Sequence, residues 1–230
     1  TSNPQPFFVD FTPPDIQHDP VSGGDVNTSF EIGGTTSISD DASGIDVASL
    51  YYRKGGEAQW QSPVSLPYNI ASSLVTSKGV EYYIYARDVA GNEAYEPAEG
   101  YHSVSITIDV GLSSTDRWST GIPNGTSVTN YQLWSFPSNP ASSSPVALIV
   151  NDMPDAAFDN TKWRAFAYGG GGAWNEFENI SALNSGESYF IIIKDAGFSI
   201  NTGTTFTIAT NQPFEINLRS GDWTFVGNPF

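Results

Sequence analysis

Cysteine is absent from all 230 residues, which excludes disulfides, thiolate metal sites and thiol nucleophiles. Histidine is nearly absent: only His18 and His102 occur, and both are expected at surface positions of edge strands. Hydrolytic chemistry needs a nucleophile, a base and an orienting group converging in a cleft. No such set is legible, so no catalytic residue and no enzymatic activity are expected. Basic side chains are scarce, 9 Lys and Arg against 25 Asp and Glu, for a net charge of −16. That sign repels phosphodiester backbones and anionic bilayers, so neither nucleic acid nor direct membrane insertion is expected. No apolar run approaches the ~20 residues that span a bilayer. Divalent cations, calcium above all, are the natural counterions of such a surface.

What is abundant is aromatic and turn-forming: aromatics make up 13%, with 22 Gly and 15 Pro, while charged residues are only 15%. Short alternating runs, broken by turn residues roughly every eight to twelve positions, predict an all-β protein. The length suits two domains. Residues 81–93, EYYIYARDVAGNE, are the most informative stretch. Tyr83, Tyr85 and Arg87 fall on one side of an extended segment, and Tyr82, Ile84 and Ala86 on the other. The strand ends in Asp88-Val89-Ala90-Gly91-Asn92, a tight reversal in which Gly91 can take positive φ and Asp88 can bond nearby backbone. Strands are predicted over 15–20, 27–39, 46–54, 59–66, 68–75, 80–87 and 101–110.

This pattern resembles the F strand and F–G turn of the immunoglobulin-like and fibronectin type III-like modules of bacterial secreted proteins. The resemblance covers about residues 13–109 and implies a seven-stranded, two-sheet sandwich at an extracellular or cell-surface location. Low Lys content and abundant Ser, Thr, Asn and Gly agree with that setting. Tyr51 and Tyr52 stand where antibody domains bury a Trp, and no Cys pair exists, so the likeness is to the broad bacterial class. Residues 1–12 read as a linker from an upstream region, 13–110 as the first β-sandwich, 111–117 as the junction and 118–230 as a second β-sandwich.

In the second half, strands are predicted over 131–137, 147–150, 163–168, 174–177, 188–194, 204–210, 214–218 and 223–226. Gly169 to Gly172 is expected to be a flexible hairpin tip. The segments KWRAFAY, WNEF, SGESYFIII and DWTFVGNPF resemble a sandwich module near the carboxy end of large bacterial secreted or surface proteins. The chain opens on Thr1 and stops inside the last of these motifs, so further protein is expected on both sides, with the second domain truncated at its carboxy end.

Two constellations carry candidate chemistry. In an immunoglobulin-like sandwich the B–C and F–G loops emerge at one end. Asp40, Asp41 and Asp46 lie in the first loop, and Asp88 and Asn92 in the second. Calcium takes six to eight oxygens, which two adjoining loops can supply, and no other cofactor is expected. The same residues also suit plain turns. The other constellation is aromatic: Trp174, with Tyr168, Asn175 and Glu176, could stack on a sugar ring and bond its hydroxyls. Core packing is the competing role for Trp134, Trp163 and Trp174. Asn27, Asn124 and Asn179 open N-glycosylation sequons.

The expected function is non-catalytic, as a spacer, stalk or assembly region of a larger extracellular protein. Its partners would be neighbouring domains, copies of itself or glycans. The alternative is a carbohydrate-binding accessory module of a secreted enzyme or adhesin.

Overall fold

A computed structural model of the chain describes residues 9–108, 119–121, 124–135, 138–201 and 203–230. The expected junction at 111–117 and most of the expected linker lie outside the described residues. The chain is all-β: strands in several sheets, with one short α-helix among the described residues. It divides into two compact units, Thr1–Val104 with Ala209–Asn211, and Ser105–Ile208 with Gln212–Phe230.

The first unit holds β1 (Asp15–Gln17), β2 (Gly24–Asp25), β3 (Phe30–Ile32), β4 (Ser37–Ser39), β5 (Ile45–Lys54), β6 (Tyr68–Ile70), β7 (Val80–Asp88), β8 (Glu93–Glu96) and β9 (His102–Val104). β1 pairs with β4 and β3 with β6, while β7 lies between β5 on one side and β8 and β9 on the other, all antiparallel. The alternation in residues 82–87 behaves as expected, while Glu81 is buried. Tyr82, Ile84 and Ala86 join Leu50, Ile32 and Ile70 in the core, while Tyr83 and Tyr85 stay half-buried on the other face.

Several segments depart from the expected strands. The run 68–75 is strand only at Tyr68–Ile70 and continues as a 3₁₀ turn at Ser72–Leu74. The run 27–39 breaks at Gly33, which has φ +89°, and a Cβ there would sit 2.3 Å from Leu66 Cδ2. That close approach explains the glycine and the turn. Residues 59–66 contribute only the bridge Leu50↔Val64. β8 was not foreseen; its four residues between Asn92 and Pro97 are too few to show a period.

The second unit holds β10 (Ile106–Ile108), β11 (Ser119–Gly121), β12 (Gln132–Ser135), β13 (Asn139–Pro140), α1 (Pro145–Leu148), β14 (Trp163–Gly170), β15 (Ala173–Glu176), β16 (Ser188–Ile193), β17 (Ser199–Asn201) and β18 (Thr205–Phe206). Its main sheet runs β12-β16-β14-β15. Trp134, Trp163, Ala165, Tyr189, Ile191 and Ile193 cover one face and pack with Leu148, Ile149, Met153, Phe177 and Leu183. The run 147–150 is not a strand: it falls in α1 and the 3₁₀ turn after it. A short apolar run does not distinguish helix from strand, and Pro145 at the first helical turn, with φ preset for helix, decides it. The runs 214–218 and 223–226 form no strand and add only the bridge Glu187↔Val226.

Candidate functional site

The turn after β4 is organised by one carboxylate. Asp40 Oδ1 accepts the backbone N–H groups of Ala42, Ser43 and Gly44 at 3.2, 2.7 and 2.7 Å. Gly44 closes the turn at φ +81°. The donated bonds, Gly44 foremost, hold the Asp40 carboxyl below its ordinary range. Asp88 ends β7 and is only 1% exposed. Its Oδ1 accepts Asn92 N–H at 2.8 Å and its Oδ2 accepts Asn92 Nδ2 at 2.7 Å. The same Nδ2 reaches the carbonyls of Asp10 and Thr12 at 3.3 and 3.4 Å, stitching the segment before β1 to the β7–β8 turn.

That stitching brings in a third carboxylate from the segment before β1. Carboxylate oxygens of Asp10, Asp40 and Asp88 all lie within 4.8 Å of one another. Asp10 Oδ1 takes the Thr12 N–H, while Asp10 Oδ2 is buried without a hydrogen-bond partner. A buried, unpaired carboxylate oxygen beside two other carboxylates is a donor set that a hard divalent cation would suit. Of the five expected ligands, Asp40 and Asp88 converge and Asn92 supports them. Asp41 is exposed and outside the group. Asp46 sits at a register irregularity between Ile45 and Val47 and pairs with Arg87 Nη2 at 2.6 Å. Asp10 carried no local signal, since only the tertiary fold lays its segment against the turn.

The expected glycan platform is split by the sheet. Trp174 and Tyr168 are cross-strand partners with ring centroids 4.9 Å apart. Trp174 remains 43% exposed while leaning on Phe190 and Phe225. Asn175, one residue on, falls on the opposite face. Glu176 shares Trp174's face but is held by Arg164, whose Nε and Nη2 donate at 2.6 and 3.0 Å. That pairing lowers the Glu176 carboxyl below its ordinary range. The hairpin tip is tied down: Asp222 accepts Tyr168 OH at 2.7 Å and Gly171 N–H at 2.6 Å, and Arg219 donates to the carbonyls of Tyr168 and Gly169.

A larger aromatic face, not singled out from sequence, lies on the outer side of β5, β7 and β8. Tyr51 and Tyr83 stack at 4.8 Å with 4° between planes, Trp60 meets Tyr83 edge-on, and Tyr85 and Tyr95 continue the row. Arg53 lies 4.0 Å over the Trp60 ring. The two histidines are not surface residues as expected. Both are half-buried and meet over Tyr82, with 5.6 Å between their ring centroids. The sequons at Asn27, Asn124 and Asn179 are all exposed.

Comparison with protein-family models, with curated proteins and with solved structures finds no match to this chain.

Proposed function

We propose that the chain is a non-catalytic structural region of a larger extracellular or cell-surface protein. It would comprise two consecutive β-sandwich modules, the first immunoglobulin-like, acting as spacer, stalk or assembly element. The pairings β1–β4, β3–β6, β5–β7 and β7–β8 support the immunoglobulin-like reading. They match A–B, B–E, C–F and F–G of that fold when β3 and β4 together stand for B.

The observation that carries the proposal is the convergence of Asp10, Asp40 and Asp88 from three separate segments. Calcium there would lock the segment entering the first unit onto the end of its sheet, as a load-bearing spacer requires. Asp10, Asp40 and Asp88 would hold the ion, with water completing the shell. A cation that binds only the folded state stabilises it by about 2.7 kcal/mol at a hundredfold excess over Kd. Calcium should therefore raise the melting temperature, a chelator should reverse the shift, and Asp10→Asn should abolish it. A melting curve indifferent to calcium would overturn the metal-braced reading.

A second reading, a carbohydrate-binding accessory module, rests on the exposure of Trp174 and on the tyrosine row of β5, β7 and β8. Titration with soluble glycans separates it from the first.

A further inference from the structure

The only two histidines of the chain meet against Tyr82 in the first unit, in a network that accepts one protonation state. Tyr82 OH, 0% exposed, accepts the Val21 N–H at 3.1 Å and lies 2.8 Å from His18 Nε2. Among the described residues no other acceptor for the phenol proton is present, so that proton points to Nε2. His18 Nδ1 therefore carries the ring proton and donates to Thr36 Oγ1 at 2.7 Å. The chain of bonds runs Val21 to Tyr82 to His18 to Thr36 and requires a neutral imidazole. It ties the residues after β1 to the buried first half of β7 and to the turn before β4.

We propose that His18 and His102 form an acid-sensitive latch, which holds β1 and residues 18–21 against the core at neutral pH and releases them in mildly acidic solution.

A proton added to Nε2 would face the phenol donor and leave the Tyr82 proton buried without an acceptor. Tyr82 cannot answer by ionising, because burial pushes its hydroxyl up to about 12. His102 on β9 packs over Tyr82 at 4.9 Å, so two charged rings would also repel. The charged groups facing His18 are His102 from β9, Glu96 from β8 and Asp19 from its own segment. Glu96 Oε1 lies 3.3 Å from His102 Nε2, near enough to attract its charge but off the hydrogen-bond axis. Burial outweighs these carboxylates, and both histidines sit below the ordinary 6.5. A lowered histidine is neutral when folded and charged when released. The latch is therefore fully closed above 6.5 and weakens as the pH falls through the folded values.

Amide exchange of the full chain tests this at about pH 7.5 and about pH 5, corrected for intrinsic rates. Protection over 15–21 and 80–84 should fall on the order of tenfold in acid, the worth of one or two lost hydrogen bonds. Protection over 163–168 and 188–193 should hold. His18→Gln should remove most of the pH response. An undiminished response in that variant, or equal protection at both pH values in the parent chain, overturns the proposal. If His18→Gln does not fold, the ring proton resonances of the parent chain decide: midpoints below 6.5 support the latch, and midpoints at or above it refute it.

Discussion

Asp88 and Asn92 are bound to each other twice, Oδ1 to the backbone N–H at 2.8 Å and Oδ2 to the side-chain amide at 2.7 Å. The pair closes the β7–β8 turn and leaves Asn92 Nδ2 oriented toward the segment that carries Asp10. Removing that amide by Asn92→Ala should cost about 2 kcal/mol in chemical denaturation, the value of a hydrogen bond to a buried charge. Asn92→Asp adds a carboxylate to the cluster and should be the less stable variant in chelator and the more calcium-responsive one. Equal calcium response in both variants would argue against a cation at this position.

Arg53 and Glu81 make the most buried ion pair of the first unit among the described residues, 2.5 Å apart with Glu81 1% exposed. Glu81 also accepts the Gly56 N–H and Thr210 Oγ1. Arg53→Ala should destabilise by about 3–5 kcal/mol, because it strands a buried carboxylate. Adding Glu81→Gln should recover part of that loss, since the amide needs no counter-charge. A double-mutant cycle checks the coupling.

The Gly169–Gly172 tip depends on a left-handed backbone and on one carboxylate. Gly171 has φ +61° with open space around its Cα, so Gly171→Ala should cost about 1–2 kcal/mol through backbone strain alone. Asp222→Asn should speed exchange at the Gly171 amide. Bonds from Tyr168 first, then from Gly171 and Trp223, keep the Asp222 carboxyl below 3.8. The strap should therefore hold at and above that value and fail only as the pH drops through the lower folded one. In Asp222→Asn that acid dependence should vanish.

Trp174→Ala tests the carbohydrate reading. A single exposed ring contributes about 0.5–1.5 kcal/mol by analogy with aromatic pairs, so binding should be weak and lost in the variant. If binding survives, substitution of Tyr95, which is exposed on the first unit's aromatic row, locates it there. Silence across neutral and acidic glycans leaves the structural reading alone.

Much of the β7 neighbourhood was readable because its period of two is long enough to show. Seven consecutive residues, 82–88, alternate between buried and half-buried. The Asp40 and Asp88 turns were readable from the turn chemistry of Asp and Gly. The histidines were misread as surface residues. Two polar rings set among polar neighbours look solvated in a linear string, and only the fold brings both against Tyr82 and each other. The run 147–150 was misread because its few apolar residues suit either element until Pro145 is weighed.

The sequence by itself determined the class of structure: an all-β, cysteine-free, strongly acidic chain whose turns are punctuated by Gly, Asp and Asn. Those properties follow from side-chain periodicity, backbone freedom and net charge, which act between near neighbours or over the whole chain. Tertiary structure alone decided that Asp10 joins Asp40 and Asp88, that Asp46 leaves them for Arg87, and that His18 reaches Tyr82 and Thr36. Each is a contact between segments far apart in the chain, made because burying Tyr82, Ile84 and their neighbours sets the register of the strands. Polar side chains at the strand ends are then carried to wherever that register places them.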